Sequence, residues 1–322
     1  MARPIVLNLN AVILAVTTGQ PRVLTVRRDT DHAGSLRALP SGPLDPAGDR
    51  TLELALRRWI RGQAGIEVGY VEQLYTFADR GRDPGEGAGG PRLVSVAYLA
   101  LVREQPVGDG SGAQWQDAYD FVPWEDRRQG GGDAGTTGAA LGRWARAATS
   151  GAERRAREER AALCFGRTAA GWDGFQALER YELLYEAGAV QESWHDRALG
   201  PPAGAGRTAG VCMALDHRRI LATALARVRG KLKYRPVVFE LLPPTFTLLQ
   251  LQRIVEALSG IPLHKQNFRR LVEGARLVEG TGTHRASGLG RPAELFRFRR
   301  DVLRERLGPG VRLPAAGRRA AR

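Results

Sequence analysis

The sequence predicts an α+β protein, an α/β/α sandwich followed by a helix-turn-helix with a β wing. Three observations predict it. Strand patterns fill the first half with a single helix among them, which suits a sandwich and not a doubly wound sheet, where helices would separate most strands. A helical section and a Gly/Pro/Ala-rich connection follow. Residues 246–300 then run helix, short turn, helix, strand, Gly/Arg loop and strand, the order of a winged helix-turn-helix.

The elements are justified in chain order. Residues 5–16, 22–28, 68–77 and 93–102 carry β-branched and aromatic residues bounded by Gly, Pro and Asp, and are predicted strands. Residues 50–64 are predicted helix, with Leu52, Leu54, Ala55, Leu56, Trp59 and Ile60 making an apolar side and Gly65 the stop. The Gly-rich segments 81–91, 108–112 and 130–138 are expected loops. Residues 153–164 and 177–188 are expected helices of an insertion at about 137–200, the second with Leu178, Tyr181, Leu184 and Tyr185 on one side. Residues 200–210 are read as a flexible connection. A helix over 216–233 carries Ile220, Leu221, Ala224, Leu225 and Val228 on one stripe with arginines opposite, and Pro243-Pro244 marks entry to the last module. The expected division is a first domain over 1–210, a linker over 211–240, a winged-helix domain over 241–308 and a disordered tail over 309–322.

Charge divides the chain more sharply than composition does. The protein has 322 residues and a net charge of +14. From Arg207 onward there are 24 Lys and Arg against 8 Asp and Glu, a net of +16, whereas the preceding residues are close to neutral at −2. A basic C-terminal part suits phosphate-backbone binding through counterion release. Cys164 and Cys212 have neither a CxxC partner nor a histidine cluster nearby, so both are read as reduced and neither marks a metal site. No run is long enough to span a membrane, and the 5–16 stretch, interrupted by Asn8 and Asn10, reads as a strand and not a signal peptide. The expectation is a cytoplasmic protein.

Residues 40–66 place a Pro-Ser-Gly-Pro loop before the helix that ends Arg58-Trp59-Ile60-Arg61-Gly62-Gln63-Ala64-Gly65-Ile66. This resembles the Nudix box, in which glutamates hold the divalent metals that activate water against a diphosphate. Arg58, Ile60, Gly65 and Ile66 match the box. Its glutamate positions hold Trp59, Gly62 and Gln63, the upstream one falls near Arg50, and the spacing back to Gly42 is longer than the family's. Mg²⁺ wants oxygen ligands, chiefly carboxylates, which Trp, Gly and Gln do not supply. The expectation is therefore a Nudix-like α/β/α sandwich without catalytic residues, metal or enzyme activity, with Glu53, Asp45 and Asp49 as the candidates for displaced ligands. Residues 72–79 and 93–102 resemble the strands flanking the box in ADP-ribose-type Nudix domains. Such a fold still offers a nucleotide site. Arg27, Arg28, Arg58 and Arg82 are the candidate phosphate contacts, and Tyr75, Phe77 and Tyr98 the candidate base contacts.

In the C-terminal module, Thr247 is the expected N-cap of a helix over 248–258, and 259–263 the turn. The helix over 264–273 turns Phe268, Leu271 and Val272 inward. Lys265, Gln266, Arg269 and Arg270 then face outward, a mix of long donors that reads bases and clamps phosphates. Asn267 either caps or contacts. The wing begins at Leu277-Val278, loops over 284–292 and returns over 293–299, with Arg285 and Arg291 set to lie along a backbone or enter a minor groove. Thr247, Lys265, Gln266, Asn267, Arg269, Arg270, Arg285 and Arg291 are the candidate DNA-binding residues.

Leu241-Leu242-Pro243, Phe246-Thr247, Asn267-Phe268-Arg269-Arg270 and Gly290-Arg291-Pro292-Ala293 resemble the Nudix-related transcriptional regulators of NAD metabolism, the NrtR type. Residues 216–224 and 231–240, with 70–77 and the inserted section, make the chain similar to the NadQ branch. The resemblance implies a homodimeric repressor of NAD biosynthesis genes that binds a double-stranded DNA operator. It also implies an effector nucleotide (NAD, ATP or ADP-ribose) and no required cofactor. Two rivals stay open on the residues alone: an active Nudix hydrolase of nucleoside diphosphate derivatives with an accessory nucleic-acid-binding domain, and a binder of nucleic acid without sequence preference.

Overall fold

The computed structural model describes residues 3–30, 34–87, 89–108, 112–130, 134–196, 209–234, 237–286 and 292–299. In chain order the elements are β1 (Ile5–Thr17), β2 (Gln20–Thr30), β3 (Gly34–Ala38), β4 (Ser41–Pro43), α1 (Leu52–Ala64), β5 (Val71–Phe77), α2 (Pro84–Gly87), β6 (Arg92–Leu101), β7 (Gln114–Asp117), α3 (Ala118–Phe121), α4 (Ala134–Arg146), α5 (Gly151–Cys164), α6 (Ala177–Glu186), α7 (Glu192–His195), α8 (His217–Tyr234), α9 (Leu248–Ser259), α10 (Lys265–Gly274), β8 (Val278–Arg285) and β9 (Ala293–Phe298). They form a Nudix-like α/β/α sandwich followed by a winged helix-turn-helix.

The sandwich follows from β1. It is apolar at successive positions, so both faces of the pleat demand cover. Leu9, Ala11, Ile13 and Ala15 pack with Leu56 and Ile60 of α1 on one face. Val12 and Leu14 belong to a second core on the other, which includes Leu221, Leu225 and Val228 of α8. The strand order is β3-β2-β1-β6-β5, with β4 paired to β1 and β7 to β2. β1 and β6 run parallel from Ile5↔Arg92 to Leu14↔Leu101, and the other pairings are antiparallel.

That second core does not stop at the sandwich. It continues through Leu141 of α4, Leu184 of α6, Leu251 and Val255 of α9, and Phe268 of α10. Sheet face, helical section, linker helix and winged helix thus share one apolar interior. Helix α4 starts at Ala134, inside the segment 130–138 expected as a loop. Its Ala140, Leu141 and Ala145 are buried, so small residues packed on neighbouring helices override their weak local signal. One expectation for α8 also changes. The stripe from Ile220 to Val228 is buried, but so are Arg218 and Arg229, which share a flank with Leu225. Each has a buried carboxylate: Arg218 pairs with Glu192, and Arg229 with Glu125.

Glu125 is the knot of that interior. Arg180 of α6 reaches it in a fork, at 2.6 Å to Oε1 and 2.8 Å to Oε2, and Arg229 donates to Oε2. All three side chains are at most 2% exposed. Burial alone would push the Glu125 carboxyl up, but Arg229 and Arg180 outweigh it and hold it below its ordinary value. The winged helix closes on the same spot. Arg127 N donates to Gly260 O at 2.7 Å, and the Tyr119 hydroxyl donates to Ala257 O at 2.7 Å. Gly260 ends α9 at φ 72°, and a Cβ there would lie 2.2 Å from Glu125 O, so only glycine allows this approach. Burial raises the Tyr119 phenol to about 12, which keeps it a donor.

Candidate functional site

A cleft of about 370 Å³ opens where β1, β2 and β4 meet α1. Helix α1 starts at Thr51, whose hydroxyl accepts from Leu54 N, and stops at Gly65 in the left-handed region. This presents the side chains of the box along β4. Trp59 Nε1 donates to Pro43 O at 2.9 Å. Gln63 accepts from Ser41 N at 2.9 Å and donates to Ser41 O at 2.8 Å. Between them the Trp59 ring lies on Gly42, where a Cβ would meet it at 2.1 Å. Every residue of β4 is therefore held by a side chain standing where the box resemblance places a glutamate.

The acidic residues near this helix are engaged elsewhere. Arg58 pairs with Asp49 at 2.7 Å and lies 4.8 Å from the Trp59 ring centre. The Arg58 hydrogen bond, with one from the backbone at Asp45, holds the Asp49 carboxyl below its ordinary range. Glu53 pairs with Arg57 at 2.7 Å, and Asp45 Oδ1 accepts from Ala47 N. Among the described residues no group of three His, Cys, Asp or Glu side chains is placed to hold a metal ion. The carboxylates proposed as displaced ligands do not converge.

The expected nucleotide contacts separate into two groups. Arg28 lines the cleft, beside Asn8 and Asp83. Arg27, the next residue of the same strand, is exposed on the opposite face and donates to Ser35 Oγ at 3.1 Å. Tyr75 is exposed on β5 and meets Phe77 edge-on. Phe77 and Tyr98 are buried, on opposite faces of the sheet, and are core residues here, because a strand covered on both sides buries its aromatics whichever way they point. Arg82 is buried and forked onto Asp216 at 2.7 and 2.6 Å, with a third bond to Phe77 O. Its guanidinium is spent on the protein, at a second cleft of about 310 Å³ shared with Arg219, Glu182 and Asp196. Asn8, Trp59 and Asp83 line the cleft and Gln63 holds its Ser41, although sequence reasoning selects none of them as contacts. The box register was the signal for Trp59 and Gln63, which were read as losses and not as contacts.

In the C-terminal domain, Thr247 is an N-cap in a full capping box. Its hydroxyl accepts from Gln250 N, and Gln250 Oε1 accepts from Thr247 N. Phe268 and Val272 bury the inner side of α10, while Leu271 is half-buried. Lys265, Gln266, Asn267, Arg269 and Arg270 are all exposed on one short helix. Arg269 reaches Glu273 at 2.8 Å, and Arg270 reaches Asn267 at 3.1 Å. Both partners are exposed and local, so they hold the donors in place without removing them from solvent. Arg285 is exposed at the end of β8, which extends into the residues expected as loop. Arg291 lies outside the described residues, as do the glycines beside it and the tail after 309.

Residues 238–298 match the family model described as the NrtR DNA-binding winged helix domain. Over these residues the C-terminal domain is similar to the NrtR winged helix. A curated relative, the ADPR responsive transcriptional repressor NtrR of Acinetobacter baylyi, is 23% identical over 292 residues, which is 91% of this chain and 81% of the relative. The crystal structure of Shewanella oneidensis NrtR complexed with a 27mer DNA aligns over 92% of this chain and 94% of its own, at TM-score 0.55 and 23% identity. A MutT/nudix family protein from Enterococcus faecalis aligns over 93% and 88%, at TM-score 0.53 and 18% identity. The likeness to NrtR therefore extends from the winged helix through the Nudix-like sandwich. No described helix is long and apolar enough to cross a membrane.

Proposed function

We infer that this chain is a DNA-binding transcriptional repressor that senses a nucleotide through its Nudix-like domain and does not hydrolyse it. One observation carries the reading: an NrtR winged helix with five exposed polar side chains on α10 shares its core with a sandwich that keeps a cleft but not the box carboxylates. The A. baylyi relative is ADPR responsive and a repressor, and ADP-ribose is the effector we assign here, ahead of NAD and ATP. The regulated genes would be those of NAD biosynthesis, and the compartment the cytoplasm.

The proposed contacts follow from placement. Lys265, Gln266, Arg269 and Arg270 would enter the major groove, with Arg285 on the backbone and Thr247 and Asn267 at the helix ends. A homodimer would set two such helices on successive major grooves of a near-palindromic site. The sensing unit is taken as residues 1–210, the linker as 211–240 and the reading unit as 241–308.

Coupling would run through Arg82. It sits beside Asp83 of the cleft and is forked onto Asp216, the residue before α8. A ligand that moves the 79–85 loop pulls on the start of the helix that carries the winged helix, and so shifts the balance between arrangements with different operator affinity. The test is a fluorescence-anisotropy titration of the full chain on DNA from its own upstream region and on a random duplex at matched salt, with and without ADP-ribose. The reading expects a preference for the upstream duplex that ADP-ribose changes. Equal affinity for both duplexes, or no effect of saturating ADP-ribose, would sink it.

A further inference from the structure

We propose that the cleft binds its diphosphate-bearing ligand without a divalent cation, with Arg28 supplying the positive charge that a metal supplies in hydrolytic members of the fold. The inference rests on the reading that this cleft is the nucleotide site. The Nudix frame implies a metal, and the residues present do not fit one. Mg²⁺ demands near-octahedral oxygen ligation and binds through carboxylates and phosphates. Asp83 is the one carboxylate among the described residues lining the cleft, and its Oδ1 already accepts from Gly85 N at 2.8 Å.

The side chains at the box-like positions are bonded directly to β4. Two side chains one helical turn apart, Trp59 and Gln63, hydrogen-bond the main chain of residues 41 and 43, and the indole lies on Gly42 between them. Acidic side chains at these positions would point at main-chain atoms that are now satisfied. The indole itself lines the cleft.

A diphosphate still needs its charge met. Arg28 opens into the cleft, and no described residue is ion-paired to it. Two neighbouring arginines, by contrast, are paired: Arg58 is held by Asp49 and Arg82 by Asp216. A guanidinium suits this role, because its planar fork matches phosphate oxygens and it stays charged at any working pH.

The experiment is calorimetric titration of the full chain with ADP-ribose, once in Mg²⁺ and once in EDTA. The proposal expects the same affinity in both within about threefold, and roughly tenfold or greater weakening in both for Arg28→Ala, with Arg28→Lys recovering part of it. Trp59→Glu gives a second signature that a purely structural role for Arg28 would not move. It returns a carboxylate to the cleft, so binding should weaken in EDTA and recover in part with Mg²⁺. Binding that appears only with Mg²⁺, or an Arg28→Ala protein of unchanged affinity, overturns the proposal and leaves the sensor reading intact. Absence of binding in either buffer removes ADP-ribose as the effector, and the proposal falls with it.

Discussion

The cleft and the recognition helix treat their charged side chains in opposite ways. Around the cleft, Arg58 is held by Asp49, Arg82 is buried on Asp216, and the box positions Trp59 and Gln63 are bonded to β4. On α10, Lys265, Gln266 and Arg269 stand in water with local partners at most. A phosphate binder built on a sandwich must keep its frame rigid, and it uses most of its polar groups to do so. A DNA reader must keep its donors free for a partner that supplies the other half of each bond. Exposed arginines in the first region are therefore poor guides to a site, and in the second they are the contacts we propose.

The comparison can be broken from several directions. The largest effect is expected at Glu125, which ties α6 and α8 together beneath the end of α9. Glu125→Ala leaves Arg180 and Arg229 buried without a counter-charge, which costs about 3–5 kcal/mol, or a fall of roughly 10 °C in the melting midpoint. A shift of only a degree or two would show that the shared interior is less continuous than its packing. Next comes acid. His217 is buried and its Nδ1 accepts from Leu39 N at 2.9 Å, and burial, only partly opposed by Asp216, lowers it from 6.5 to about 4. With the folded value depressed, its contribution is complete above pH 6.5 and is lost as pH falls toward 4. Stability should drop by up to about 3 kcal/mol across that window. His217→Gln should flatten the slope, measured by denaturant melts at stepped pH.

Smaller effects separate the two regions directly. Arg269→Ala and Lys265→Ala should each cost about 1–3 kcal/mol of operator affinity if the side chain meets a base, with specificity relaxed at that base pair. Their melting curves should match the parent within about 0.5 kcal/mol. Anisotropy on wild-type and point-mutated operators distinguishes base from phosphate contacts. Smallest is Arg58→Ala. Its guanidinium is half exposed, so the melting midpoint should barely move and ADP-ribose affinity should stay within a few-fold. A large loss of ADP-ribose binding would move Arg58 from the frame into the site and blur the contrast.

Much of this was legible in the chain. Periodicity and punctuation placed β1, α1, α8, α9 and α10 within a few residues, because Gly65, Thr51, Thr247 and Gly260 act locally through backbone conformation and capping. The box register also located Trp59 and Gln63. What they do was not legible, because their hydrogen bonds go to residues 41 and 43, a strand away. Arg82 and Arg28 looked alike as basic residues near phosphate-binding loops. Asp216, 134 positions from Arg82, decides between them.

By itself the sequence determined the order of the main elements, the split in charge, the Trp, Gly and Gln at the box-like positions and the polar outer face of α10. Those follow from short-range rules of conformation and from a count of charges. Only the tertiary structure decided which arginines are free. The fate of a guanidinium depends on whether a distant carboxylate is folded against it. Glu125 with Arg180 and Arg229, Asp216 with Arg82, and Arg28 facing an open cleft are three outcomes for one residue type.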